Sequence, residues 1–91
     1  MNYDTLELLD VIAILDALYV LTGLKQEEGY RVSVWKNLSG EESDFSEILR
    51  FDYAVPAMSF AVADGGNTFF FGMGQKGVEH ALNGMVLMCT L

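Results

Sequence analysis

The chain has 91 residues, 52% of them hydrophobic and 20% charged, and its 13 acids against 5 bases give a net charge of −8. A chain of this length makes one domain, 1–91, whose core is adequate without surplus, so self-association would help to cover its apolar side chains. The acidic balance and the lack of a Lys/Arg cluster argue against direct binding of nucleic acid, and the single cysteine, Cys89, excludes an intrachain disulfide framework.

The opening stretch MNYDTLELLD has no positive n-region and no cleavage signal, so a secretory leader is not expected and the cytoplasm is the expected compartment. Residues Leu6 to Leu24 are strongly apolar, but Glu7, Asp10 and Asp16 interrupt them, which argues against a membrane span. Asp4 is placed to cap a helix, with Glu7 three residues later as its reciprocal partner. The run TLELLDVIAILDALYVLT then predicts a helix ending at Gly23 as its C′ residue. Such a helix is apolar on most of its circumference and belongs at the centre of the fold or in a subunit interface. Asp16 is its exception, with three readings: an exposed polar stripe, a pair with Arg31 or Lys36, or a catalytic acid.

KQEEGY is a polar connection and YRVSVWKN a strand, with Tyr30, Val32 and Val34 on one face and Arg31, Ser33 and Trp35 on the other. In LSGEESD the acids Glu41, Glu42 and Asp44 form a solvated loop or a docking patch for basic side chains. FSEILRFDYAV fits a short helix capped by Ser43 or Asp44, or a strand over 47–54; the strand is preferred, with Pro56 ending it. AMSFAVADGGNTFFFG is a hairpin turning at Asp64-Gly65-Gly66-Asn67. Its Ser59, Ala61 and Ala63 face is flat enough for the first helix to approach. VEHALNGMVLMCT predicts a second helix, with Val78, Ala81, Leu82, Met85 and Cys89 on its apolar face; Gly84 marks a close contact or an early end.

The expected fold is therefore α+β, in the order α-β-β-β-β-α: an antiparallel sheet of three or four strands with N- and C-terminal helices over one face. The alternatives are a sheet between helices, or a sheet extended by strand pairing in a dimer.

Gly72, Gly74 and Gly77 have the G-x-G-x-x-G spacing of a dinucleotide-binding turn. The full fingerprint needs a second parallel strand and an acid roughly 20 residues on. Only residues 78–91 follow, and no acid lies beyond Glu79. A smaller role survives: Gly72, Gly74, Lys76 and Gly77 as an anion-binding corner. No HExxH, Cys/His metal spacing or arranged nucleophile exists; His80 is expected on a polar surface, and no catalytic residue, metal or cofactor is assigned.

Phe69, Phe70 and Phe71 cannot all face one core, and Trp35 opposes Val34 in the same way. The function that fits is a small acidic protein–protein interaction module, a non-enzymatic inhibitor or adaptor acting on a protein partner with a basic face. Trp35 and Phe70 are its expected apolar contacts, and Glu41, Glu42 and Asp44 its steering rim. Homo-oligomerisation is expected as well. The same features suit a phage protein and imitation of nucleic acid toward a DNA-binding protein. The alternative is a small-ligand or anion-binding domain built on the glycine corner.

Overall fold

The computed structural model describes residues 6–14, 17–38, 44–74 and 85–91. Its strands are β1 (Glu7–Ile14), β2 (Ala17–Lys25), β3 (Tyr30–Asn37), β4 (Ser46–Tyr53), β5 (Ala57–Ala63), β6 (Thr68–Met73) and β7 (Met85–Thr90). They form two antiparallel sheets, β1-β2-β3-β4 and β5-β6-β7, in which every strand lies beside its neighbour in sequence. Among the described residues helical structure is confined to the 3-10 turn Asp64–Gly66 and to Asp44, a 3-10 residue ahead of β4.

This corrects the α+β expectation and its α-β-β-β-β-α order. The predicted N-terminal helix is a hairpin, with Ile14 opposite Ala17 and Gly23 inside β2 opposite both Glu7 and Val32. Residues 15–16, Asp16 among them, lie outside the described set, as does the predicted cap Asp4. The reason is a choice between two periods. A continuous apolar run satisfies a helix and a two-sided strand equally well, and local helix propensity is overridden where cross-strand packing is available. Ile12 and Ile14 alternate inward on β1, and Tyr19 and Leu21 on β2, which is strand periodicity. The predicted C-terminal helix fails in the same way. Residues 85–90 are β7, and the earlier part of that segment lies outside the described set. Among the described residues no helix lies over the face of Ser59, Ala61 and Ala63.

The strand expectations over 30–37 and 47–54 and the hairpin at 57–73 match the structure. At the hairpin tip Gly65 and Gly66 adopt φ of 62° and 95°, and Asp64 joins them at 52°. Gly66 is required for a further reason: a Cβ there would fall on the Tyr19 hydroxyl, and Tyr19 is fully packed.

The sheets pack face to face through Tyr19, Leu21, Val32 and Val34 from the first and Ala57, Phe60, Phe69, Phe71 and Met73 from the second. Phe71 is the hub. It stacks on Phe60 and Phe69 at 6.4 Å each and meets the edge of Phe51 across the sandwich at 5.2 Å. Tyr19 meets Phe69 edge-on at 5.9 Å. Such aromatic geometry adds about 0.5–1.5 kcal/mol per pair beyond area burial.

Three strands each carry one extra residue. The register shifts between Leu8 and Asp10, between Val34 and Trp35, and between Ala57 and Ser59, placing bulges at Leu9 of β1, Ile48 of β4 and Met58 of β5. All three are edge strands. At one flank β1 and β5 lie side by side, and Asp10 Oδ2 accepts the Phe60 N–H at 3.4 Å.

Candidate functional site

Strand alternation in the second sheet divides its residues cleanly. Phe69, Phe71 and Met73 point into the core, so Thr68, Phe70 and Gly72 point out. The register then builds three outward rows: Ala63, Thr68 and Thr90; Ala61, Phe70 and Met88; Ser59, Gly72 and Val86. Gly72 keeps the third row low, since a Cβ there would lie 2.8 Å from Ser59 Oγ. Phe70, Met88 and Val86 are 36%, 60% and 70% exposed, and Leu91 beyond them is also exposed.

No position in these rows is ionisable, in a chain of net charge −8. The outer face of the first sheet is different. Its β3–β4 half carries ion pairs, Arg31 Nε to Asp52 Oδ1 at 3.3 Å and Arg50 to Glu47 Oε1 at 2.7 Å. Toward its centre lies Trp35, whose indole N–H donates to Thr22 Oγ1 at 2.9 Å. Lys36 is on the opposite, core-facing side, 5.4 Å over the ring of its register partner Tyr19. The β1–β2 half of the outer face is uncharged as well, with Leu8 63% and Val11 46% exposed opposite Thr22 and Val20. The second sheet differs in being uncharged across all three of its strands, and exposed apolar faces of this kind mark contacts on small proteins.

The sequence-predicted contact residues separate. Phe70 stands exposed at the centre of the apolar face. Trp35, on β3 of the first sheet, is buried and held by Thr22 of the neighbouring strand β2, so it is a packing residue here. Asp44 is exposed just before β4, at the same end of the sandwich as the Asp64–Gly66 turn; Glu41 and Glu42 lie outside the described residues. Sequence reasoning missed Val86, Met88 and Leu91 as surface. The alternation inward–outward in MVLMCT was the available signal, hidden by an equally good helical reading.

The glycine corner has less to offer an anion. Gly72 is a ladder residue between Ser59 and Val86, and the Gly74 N–H donates to the Pro56 carbonyl at 2.9 Å. Lys76 and Gly77 lie outside the described residues. A cleft of about 590 Å³ opens nearby, floored by Leu9, Gly23, Ala57 and Met58, with Glu7, Lys25 and Tyr30 at its sides. It assembles no nucleophile with a base. Among the described residues no group of three or more His, Cys, Asp or Glu is placed to hold a metal ion. Cys89 is a free thiol, half-buried opposite Phe69, and burial pushes its pKa up, away from the reactive thiolate. No helix among the described residues is long and apolar enough to cross a membrane.

Comparison of the chain with protein-family models, with curated proteins and with solved structures finds no match.

Proposed function

We propose that this protein is a non-enzymatic interaction module, an inhibitor or adaptor that works by occupying the surface of a protein partner. The observation that carries the reading is the uncharged outer face of the second sheet, with Phe70 at its centre and Met88 and Val86 beside it. Burying one such side chain fully is worth roughly 1.5–3 kcal/mol, so a cluster of them supplies the core of an interface. Acids at the turns, Asp44 and Asp64 with Glu41 and Glu42 in the β3–β4 connection, give a rim that steers encounter with a basic partner. A single free cysteine suits the cytoplasm as the place where this happens. Anion binding at the glycine corner is the weaker reading, because the Gly74 N–H already has an acceptor within the fold.

The test compares capture from native lysate by wild type, by Phe70→Ser and by the triple variant Glu41→Ser, Glu42→Ser and Asp44→Ser. A specific partner retained by wild type and lost with Phe70→Ser is the expected result. The triple variant is expected to slow association without abolishing it, and added salt to do the same. Equal capture by wild type and Phe70→Ser discards the face; equal association rates for the triple variant discard the rim. Displacement of the partner by duplex DNA would identify nucleic-acid mimicry as the mode of inhibition.

A further inference from the structure

A sheet edge is a row of unpaired N–H and C=O groups, and folded proteins blunt such edges with bulges, charges or a covering element. Three edges of this sandwich are treated in that way. β1 has its bulge at Leu9 and lies beside β5, Asp10 reaching across to the Phe60 N–H. β5 has its own bulge at Met58. β4 is bulged at Ile48 and carries Glu47, Arg50 and Asp52. β7 has none of these features: its MVLMCT sequence is uncharged and proline-free, its register against β6 is unbroken, and among the described residues no strand pairs with its far side.

The direction of its backbone groups follows from one hydrogen bond. Leu91 N–H donates to the Asn67 carbonyl at 2.8 Å, and Leu91 lies opposite Asn67 in the β6–β7 register. In an antiparallel ladder hydrogen-bonded pairs alternate with non-bonded ones. Met85, Leu87 and Cys89 therefore bond to β6, while Val86, Met88 and Thr90 aim their N–H and C=O groups outward from the open edge.

We infer that this edge pairs antiparallel with β7 of a second copy of the chain, about a two-fold axis, to make one six-stranded sheet. The charge distribution selects the occupant. Two molecules of net charge −8 repel, and contact through the other edges would bring Asp10 or the charges of β4 against their own equivalents. At β7 uncharged residues meet uncharged residues in every antiparallel register, so like-charge pairs are absent. Two-fold pairing is also self-complementary and closes, so it stops at a dimer instead of propagating. This inference goes beyond the partner proposed above. Edge pairing leaves the outward rows uncovered and joins two of them into a single platform with Phe70, Met88 and Val86 on both halves.

Opposition between backbone pairing and charge gives the dimer an unusual salt response. A strand pair of this length buries less than the roughly 1,600 Å² of a standard interface, so association is weak. The Debye length falls from about 10 Å at 0.1 M salt to about 3 Å at 1 M, so added salt relieves the repulsion and strengthens the dimer. Steering toward a basic partner weakens under the same change.

Sedimentation equilibrium from low micromolar to millimolar protein, at 0.05 and 1 M salt, decides the matter for wild type, Met88→Pro, Met88→Ala and Phe70→Ser. Wild type is expected to move from monomer toward twice the chain mass, at lower concentration in high salt. Met88→Pro removes an outward N–H without removing a β6 ladder bond and is expected to stay monomeric. Met88→Ala keeps the donor, and Phe70→Ser alters only the face; both are expected to associate within a fewfold of wild type. Wild type that stays monomeric throughout, or Met88→Pro that associates like wild type, overturns the inference. Should Met88→Pro fail to fold, amide exchange on wild type decides instead. Val86, Met88 and Thr90 gain protection with concentration, while Leu87 and Cys89 are protected throughout; protection of the outward amides that is independent of concentration also overturns it. Because Phe70→Ser is scored here for mass and above for capture, failure of the edge and failure of the face give separate results.

Discussion

Phe69, Phe70 and Phe71 share one chemistry and differ only in which side of a strand they leave. Phe69 and Phe71 are fully enclosed, and Phe71 touches rings of both sheets. Replacing Phe71 with alanine is expected to cost about 3–5 kcal/mol, the range for deleting a buried aromatic ring. Phe70→Ala, on the open face, is expected to change stability by no more than about 0.5 kcal/mol. Urea denaturation of the two variants checks the pair, and a large loss for Phe70→Ala would show that the face is covered in the free protein. The sequence made the conflict among the three rings visible because period-two alternation is obligatory in a strand. That alternation set Phe70 apart from Phe69 and Phe71, but it did not show whether Phe70 is covered or left open. The structure leaves it open, with β7 placing Met88 beside it and Cys89 against the enclosed Phe69. Trp35 was misplaced for a related reason: nothing in YRVSVWKN reveals that Thr22, from a segment read as helix, supplies an acceptor for its indole.

At the scale of elements, legibility tracked the punctuation. The β5–β6 hairpin is announced by Asp-Gly-Gly-Asn, and β3 by alternation between polar connections. The β1–β2 hairpin has no glycine, proline or asparagine between Ile14 and Ala17, so its two strands ran together as one apolar segment of helical length. Bulges are invisible to periodicity, since an extra residue reads as a lapse in the pattern. Asp10, which the sequence places inside the expected first helix, instead follows the β1 bulge with Oδ1 accepting the Val11 N–H at 2.9 Å and Oδ2 reaching β5. Its carboxylate does at the β1–β5 flank what a ladder does elsewhere. Asp10→Ala is expected to lower stability by about 1 kcal/mol, the typical net worth of a hydrogen bond. It should raise the exchange rate of the Phe60 amide in particular. Unchanged Phe60 exchange would mean that the flank is held by side-chain packing alone.

For the molecule as a whole, bulk properties were a better guide to surface than to architecture. The charge and the apolar excess anticipated an acidic protein with uncovered hydrophobic area, and one sheet face has that character. They were silent on fold class, because 52% hydrophobic residues suit a sandwich as well as a sheet beneath helices. The two-sided strands were the better clue. A sheet with apolar residues on both faces needs a second layer, and here that layer is another sheet, with the first helix replaced by half of its four strands. Much of the apolar surplus assigned to a helix interface lies exposed instead, at Leu8 and Val11 of β1 and at Phe70, Val86 and Met88 of the second sheet.

The strand order has a consequence for how the chain finds this structure. Every strand pairs with the one before it in its own sheet, and the short Ala54–Pro56 link joins two complete meanders. Ladder formation therefore closes only local connections, the longest of them residues 74–84, whereas a sandwich with crossed connections must bring distant segments together first. Refolding is expected on the millisecond side of the range for all-β domains, with the four-stranded meander able to form before the sheets dock. The single tryptophan, Trp35, lies inside that meander against Thr22 and reports its formation directly. Stopped-flow fluorescence from Trp35, followed alongside far-ultraviolet circular dichroism, measures both events; a Trp35 signal that recovers only over many seconds would contradict local, sequential assembly.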